Sequence, residues 1–297
     1  MLILLEGCDG SGKSTTAKLL AERLPGAVTV HHGSYKGLGP QELSVAYMAS
    51  LRSALGGAHT IMDRSWLSEP IYADVFRNEP SRISSVSRRM LERAALRCDG
   101  VVVLCRPPFE RCLQTFRGRL AEEMLKDSGQ LKRVYDGYQL LDTHLPVVEF
   151  DYTTESIDQL MMWIEAAVLE RRAHIKVTLL GDRPNVRTHV QEALQVPFVS
   201  FTGAGCSEWL AAQLDDAGIS EYNLNWANAF THDGKDNDTD LLIPGGEVIA
   251  LGNYASTWCR KYGVTHQVCP HPQYHKRFYF SREYPLIKEL KRVLERP

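Results

Sequence analysis

This sequence predicts an α/β protein of two units, each built around a parallel sheet, and three observations carry the prediction. Short, continuously apolar runs alternate with segments of helical period, the pattern of parallel strands covered by helices. The alternation restarts on a fresh apolar strand near residue 173. The 297 residues are also about twice the length of an ordinary domain.

Leu2–Leu5 is the first buried strand, followed by glycine-rich sequence and a helix through Leu24. Val28–His31 and Thr60–Met62, the latter entered after Gly56-Gly57, are the next strands. A helix containing Arg88–Leu96 leads into the all-apolar Val101–Cys105, Val147–Phe150 is a further strand, and Ile157–Arg172 has amphipathic helical spacing. Lys176–Leu180 then opens the second pattern and ends at the turn-rich Gly181-Asp182-Arg183-Pro184-Asn185. A helix near Ser207–Ala217, a polar loop at Asp233–Asp240, the strand Val248–Leu251 and a helix from Pro285 to Leu294 complete it. The expected units are therefore 1–172 and 173–297, with no internal repeat between them. The acidic loop lacks EF-hand spacing and reads as a solvated loop.

Composition excludes several classes. Apolar residues make up 44% and the formal net charge is −2, from 36 acidic residues against 34 Lys plus Arg. That is globular rather than disordered composition. It also excludes a chain that coats nucleic acid by bulk charge, so any such contact needs a local basic face. Seven scattered cysteines make no disulfide framework. Met1–Glu6 lacks the basic start of a signal peptide, and no apolar run approaches the roughly 20 residues that span a bilayer. A reduced, soluble, cytoplasmic-type protein with no membrane partner is expected.

Gly7-Cys8-Asp9-Gly10-Ser11-Gly12-Lys13-Ser14 fits G-x-x-x-x-G-K-[ST], after a predicted strand and before a predicted helix, which is the context this phosphate-binding motif requires. Its glycines let backbone N–H groups converge on phosphate oxygens at a helix N-terminus. Gly7, Gly10, Ser11, Gly12, Lys13, Ser14 and Thr15 are thus the candidate nucleotide-binding residues. Lys13 is expected to bridge the β- and γ-phosphates and Ser14 to hold Mg²⁺, which makes ATP and Mg²⁺ the expected cofactors.

With the preceding Leu5-Glu6, this loop resembles that of thymidylate kinases, where an acidic residue lies inside the glycine run. The resemblance makes Asp9 a candidate to orient or deprotonate the attacking hydroxyl; the alternative is a side chain bonded to nearby N–H groups of the loop. Ile61-Met62-Asp63-Arg64-Ser65-Trp66-Leu67-Ser68 resembles the Asp-Arg-Tyr-x-x-Ser and Glu-Arg-Ser signatures of thymidylate and deoxynucleoside kinases. It implies Asp63 as a second holder of Mg²⁺ and Arg64 as a phosphate ligand on the acceptor side. Trp66 and Tyr72 either line a base pocket or pack in the core. Cys105-Arg106-Pro107-Pro108 through Arg117-Gly118-Arg119 resembles the kinase lid, where Arg117 and Arg119 would neutralise the transferring phosphoryl group; a solvated helix face is the other reading. His31-His32-Gly33-Ser34-Tyr35 stands where those kinases have an Arg-Glu-Pro-Gly-like acceptor loop, which argues against free dTMP as acceptor.

In the second half, Leu179-Leu180-Gly181-Asp182-Arg183-Pro184-Asn185 resembles the first active-site loop of uracil-DNA glycosylase-like folds. Val268-Cys269-Pro270-His271-Pro272-Gln273-Tyr274 resembles their second, and Asn223–Asn228 falls in order between them. If Arg183 takes the slot of the catalytic carboxylate, the general base is missing and only recognition of an extruded base remains. Arg183, Asn185 and His271 are the candidate base contacts. Lys276 and Arg277, among Tyr274, Phe278 and Tyr279, and with Arg260-Lys261 and Arg282, are candidate DNA contacts; a mixed surface over core aromatics is the alternative. Cys269, His271 and His275 lack a fourth ligand at zinc spacing.

A thymidylate-type kinase joined to a base-recognising fold is similar to the phage 5-hydroxymethyluracil DNA kinases. That resemblance implies transfer from ATP to the 5-hydroxymethyl group of a pyrimidine within DNA. A free deoxynucleoside monophosphate kinase and a glycosylase-like base-processing enzyme are the alternatives.

Overall fold

The computed structural model describes residues 1–33, 35, 37–55, 57–118, 127–183, 206–231, 233–279 and 283–295. The chain divides into two compact units, Met1–Leu169 and Glu170–Pro297.

The first unit holds a five-stranded sheet of β1 (Leu2–Glu6), β2 (Val28–His31), β3 (Thr60–Asp63), β4 (Gly100–Cys105) and β5 (Val147–Phe150). Every pairing is parallel and the order is β2-β3-β1-β4-β5. The helices are α1 (Lys13–Arg23), α2 (Pro40–Leu55), α3 (Ser68–Arg77), α4 (Ser85–Arg97), α5 (Phe109–Arg117), α6 (Ser128–Gly137) and α7 (Ile157–His174). All residues of β1, β3 and β4 are buried, because helices cover both faces of the sheet centre. Ile3, Leu5, Ile61, Val101 and Val103 pack with Ala17 and Leu20 of α1 and Leu160 and Ile164 of α7. Leu104 packs on the opposite face with Tyr72, Cys112, Phe116, Leu131 and Val134 from α3, α5 and α6. Each fully buried Leu or Ile contributes roughly 1.5–3 kcal/mol of transfer free energy. The outer strands depart from the continuous burial that the sequence suggests. β2 is largely exposed and β5 alternates, because each has only one neighbouring strand.

Side-chain caps fix several helix starts: Ser84 accepts from the Ser87 N–H at α4, Asp127 from the Gln130 N–H at α6, and Ser156 from the Gln159 N–H at α7. α1 begins differently. Gly12 precedes it at φ 87° with no side-chain cap, leaving the first-turn N–H groups available to an anion.

The second unit holds β6 (Val177–Gly181), β7 (Asn225–Asn228), β8 (Glu247–Leu251) and β9 (Gln267–Cys269), again all parallel, in the order β7-β6-β8-β9. Its helices are α8 (Cys206–Asp216), α9 (Asn253–Lys261), α10 (Pro272–Phe278) and α11 (Pro285–Leu294). Val177, Leu179, Ile249 and Leu251 pack with Leu210, Leu214, Leu286 and Leu290 of α8 and α11. Leu180, Val248 and Ala250 face Ala255, Trp258 and Cys259 of α9. No helix of the described residues is long and apolar enough to cross a membrane.

Candidate functional site

The carboxyl ends of β1, β2 and β3 meet at one edge of the first sheet, where open parallel sheets bind ligands. The loop leaving β1 turns back into α1 through three glycines at positive φ, and two of them allow contacts that no side chain tolerates. A Cβ on Gly7 would stand 2.5 Å from the Cys105 carbonyl oxygen, and one on Gly10 2.5 Å from that of Cys112. Lys13 is buried inside the loop, its Nζ donating to the carbonyls of Gly7 at 2.9 Å and Cys8 at 2.6 Å and to Ser11 Oγ at 3.4 Å. Burial, and then the nearby Arg64 charge, pull its pKa below the usual lysine value.

Ser14 Oγ donates to Asp63 Oδ2 at 2.6 Å, joining α1 to the end of β3 across 49 positions. His31 Nδ1 lies 2.9 Å from the same oxygen. Asp63 Oδ1 is buried with no hydrogen-bond partner. Burial acts to raise the Asp63 pKa, but the Ser14 hydroxyl, the Lys13 charge and His31 together outweigh it, and the net shift is downward. A hydroxyl beside an ionised carboxylate with one oxygen unmet is a hard donor set of the kind that Mg²⁺ takes. Ser14 and Asp63 therefore fit the ion they are expected to hold.

The next residue has left-handed backbone, Arg64 at φ 72°. Its N–H donates to Leu5 O at 3.0 Å and the Ser65 N–H to Glu6 Oε1 at 2.8 Å, so β1 clamps the turn on both sides. Glu6 is completely buried and also accepts from the hydroxyls of Ser65, Ser68 and Tyr138. Burial pushes its pKa up, against the hydrogen bonds from Ser65 and Ser68. The Arg64 guanidinium donates to Asp9 and, at 2.7 Å, to Tyr72 OH, and lies 4.7 Å from the Tyr72 ring centroid. Tyr72 OH donates to the other Asp9 oxygen at 3.2 Å. Asp9 is thus committed to a cation and a phenol, an arrangement suited to orienting a group rather than to taking a proton from it.

A cavity of about 1270 Å³ opens onto these groups, and all its lining residues fall between Asp9 and Ile157. Its lining includes Gly10, Gly12, Lys13, Ser14, Thr15, His31 and Asp63, together with the rings of His32, Tyr35, Tyr47, Tyr72 and Phe76. Tyr72 and Phe76 stack at 5.7 Å with 9° between planes. Arg82 braces the segment after β2. It donates to the carbonyls of Tyr35 at 2.9 Å and Leu38 at 3.1 Å, and through Nε and Nη2 to Glu69 of α3. His32 is 1% exposed, with Nδ1 against Tyr35 OH and a buried, unpartnered Nε2. Burial, and then His31, push its pKa down to about 4, so the ring is neutral at pH 7.

The structure brings Asp9, Lys13, Ser14, Asp63 and Arg64 to one cavity, while Gly7 and Ser11 shape the loop from behind. Of the two places open to Trp66, base pocket or core, it takes the core. It is 1% exposed, packs edge-on to Tyr47 and stays out of the cavity wall, because the clamp on Ser65 turns the chain inward. Tyr72 does line the cavity. Arg117 is exposed at the end of α5 and is not among the lining residues; Arg119 lies outside the described residues. Sequence reasoning missed Tyr47, Glu69 and Arg82, none of which belongs to a motif.

In the second unit, Arg183 is exposed just past β6, while Asn185 and Arg282 lie outside the described residues. His271, past β9, caps α10 by accepting from the Gln273 N–H at 3.2 Å. Its pKa falls with burial, against the opposing charge of Asp182. Asn228, at the end of β7 and in register with Gly181, is buried with an unpartnered Nδ2. Lys276, Arg277, Tyr274 and Phe278 are exposed on α10. His275 is buried between Trp209 and Tyr284 instead of joining that basic patch.

No family model matches the chain, and no curated protein matches it in sequence. Among solved structures it is similar to the YorR protein from Bacillus subtilis in complex with phosphorylated GDP, at 20% identity and TM-score 0.44, over 59% of this chain and 99% of that one. It is also similar to deoxyadenosine kinase from M. mycoides with bound dCTP, at 18% identity and TM-score 0.37, over 56% of this chain and 100% of that one. A third is thymidylate kinase from Candida albicans, at 16% identity and TM-score 0.36, over 58% of this chain and 92% of that one.

Proposed function

We propose that the chain is a kinase that moves the γ-phosphate of ATP onto a hydroxyl of a thymidine-type pyrimidine, the acceptor being the 5-hydroxymethyl group of 5-hydroxymethyluracil in DNA. The observation that carries the kinase reading is the meeting of Lys13, Ser14 and Asp63 beside a glycine loop at an uncapped helix start, with Asp63 Oδ1 unmet. When bound, ATP with Mg²⁺ supplies the phosphoryl group and neutralises much of its charge. The Lys13 ammonium and the first-turn N–H groups of α1 bind phosphate oxygens, and Ser14 Oγ with Asp63 supplies the oxygen ligands for the ion. Arg64 presents a fixed cation on the acceptor side, and Asp9 accepts a hydrogen bond from the acceptor hydroxyl and so aims it. Arg117, near the end of the lid-like segment and outside the cavity wall, takes no part in this arrangement.

The second unit supports the polymeric acceptor. Two of its groups, Asn228 and His271, stand at strand ends, and Lys276, Arg277 and two aromatics are exposed on α10. With Arg183 in the slot of the catalytic carboxylate, a guanidinium is no general base, and the unit would bind a base without cleaving a glycosidic bond. One observation favours a second reading, a free mononucleotide as acceptor: the described residues that line the cavity all belong to the first unit. The test is transfer of labelled γ-phosphate to duplex DNA containing 5-hydroxymethyluracil. Transfer that Lys13→Ala abolishes, with no abasic sites formed, is expected; abasic sites, or transfer untouched by that substitution, would refute the proposal.

A further inference from the structure

We propose that His32 is the specificity-determining residue for the acceptor, and that it selects a base presenting a carbonyl rather than an amino group, uracil-type over cytosine-type. This rests on the kinase reading above.

The ring is held from several directions. It packs 4.9 Å from the Tyr47 ring at 48° and 5.7 Å from the Tyr35 ring, and Tyr47 and Tyr35 meet edge-on at 5.9 Å. Arg82 fixes the backbone of Tyr35 and Leu38 against Glu69, so the segment carrying these rings is anchored to α3. His32, Tyr35 and Tyr47 are all part of the wall of the cavity onto which the phosphate loop opens.

A neutral imidazole carries one N–H, and its hydrogen bond to Tyr35 decides which nitrogen holds it. If Nδ1–H donated to the phenol oxygen, Tyr35 O–H would need another acceptor and Nε2 would be an unmet acceptor. If Tyr35 O–H donates to Nδ1, the phenol is satisfied and one group, Nε2–H, is left. Burial raises the Tyr35 pKa, so the phenol keeps its proton to give. The second arrangement leaves fewer polar groups unmet and is the one we assign. It aligns a relay from Tyr35 O–H to Nδ1 and from Nε2–H to an acceptor atom on the ligand. A buried N–H without an acceptor is costly, and a carbonyl oxygen placed there relieves that cost. An exocyclic amino group would set donor against donor.

Acceptor kinetics test this with 5-hydroxymethyl-dUMP against 5-hydroxymethyl-dCMP, and with the same two bases in a DNA oligonucleotide, for wild type, His32→Phe, His32→Gln and Tyr35→Phe. The wild type is expected to favour the uracil base in kcat/KM on the order of a hundredfold, the scale for a site with a buried polar group matched to one partner. His32→Phe keeps the aromatic packing and should bring that ratio to within about tenfold, through the acceptor KM and not the ATP KM. His32→Gln retains an N–H and should recover part of the preference. Tyr35→Phe, which frees the tautomer, should weaken it even if His32→Phe fails to fold. A wild-type preference for cytosine, or a ratio unmoved by these substitutions, overturns the inference while the kinase reading stands. No transfer to any of the four acceptors overturns both.

Discussion

Glu6 is the residue whose removal should be felt furthest from its own position. Its carboxylate accepts from the Ser65 N–H at 2.8 Å, Ser65 Oγ at 2.6 Å, Ser68 Oγ, and Tyr138 OH at 3.1 Å, all in a fully buried site. In Glu6→Ala, Ser68 and Tyr138 can still bond to each other, being 2.9 Å apart, but the Ser65 N–H and hydroxyl lose their acceptor and one further O–H is left unmet. At about 1–3 kcal/mol for each of these three buried donors, the loss is at least roughly 3 kcal/mol. For a unit of this size that is a fall in Tm on the order of 10 °C. Glu6→Gln keeps a carbonyl facing Ser65 and should lose less than half as much. The bond from the Ser65 N–H helps hold Arg64 in its left-handed conformation, so the acceptor KM should rise in Glu6→Ala more than the ATP KM, and less in Glu6→Gln. Thermal unfolding and steady-state kinetics of the two variants check this. A Glu6→Ala protein that unfolds within about 2 °C of wild type, a shift of under roughly 1 kcal/mol, would refute the reasoning.

Further predictions concern the loop, the metal position and the brace. Asp63→Asn should lower kcat by about a hundredfold or more and raise the Mg²⁺ concentration needed for half-maximal rate, read from a Mg²⁺ titration. Because the folded Asp63 pKa is lowered, its ionisation stabilises the fold above the ordinary aspartate value of 3.8. That contribution is lost as pH falls through the lowered value, so the stability gap between wild type and Asp63→Asn should close below about pH 4 in acid-unfolding curves. Gly10→Ala puts a Cβ 2.5 Å from the Cys112 carbonyl at φ 78°. It should cost about 1–3 kcal/mol in strain, measured by denaturant unfolding, and weaken ATP binding. Arg82→Ala removes the brace between Tyr35, Leu38 and Glu69, so the acceptor KM should rise about tenfold in steady-state assays with little change in the ATP KM.

Much of this architecture was legible in the residues, for reasons that also explain what was not. A continuous apolar run of strand length such as Val101–Cys105 fits a central parallel strand, and β4 is buried throughout. The loop from Gly7 to Ser14 and the pair Asp63-Arg64 carry their chemistry in local spacing, and the fold unites them through the bonds from Ser14 to Asp63 and from Arg64 to Asp9. β9 is three residues long and β7 reads Asn-Trp-Ala-Asn, so neither has a periodicity to detect. α3 starts with no side-chain cap to announce it, and α2 starts at Pro40 after a glycine, its first turn tied back by Glu42 accepting from the Gly39 N–H. The acceptor wall was the least legible part. Tyr47, Glu69 and Arg82 come from α2, α3 and the segment after it, and only tertiary packing brings them to His32. Trp66 shows the converse: adjacency to Arg64 in sequence suggested the pocket, and the turn held by Glu6 put the indole in the core.

The central claim is that phosphate passes to a modified pyrimidine, and that the second unit makes DNA the preferred carrier. The most direct measurement offers the intact protein labelled γ-phosphate together with competing acceptors: dTMP, dUMP, 5-hydroxymethyl-dUMP, and duplex DNA containing 5-hydroxymethyluracil. Label accumulating in the DNA, on the hydroxymethylated base and in preference to every mononucleotide, is the predicted result. Label confined to the mononucleotides would contradict it.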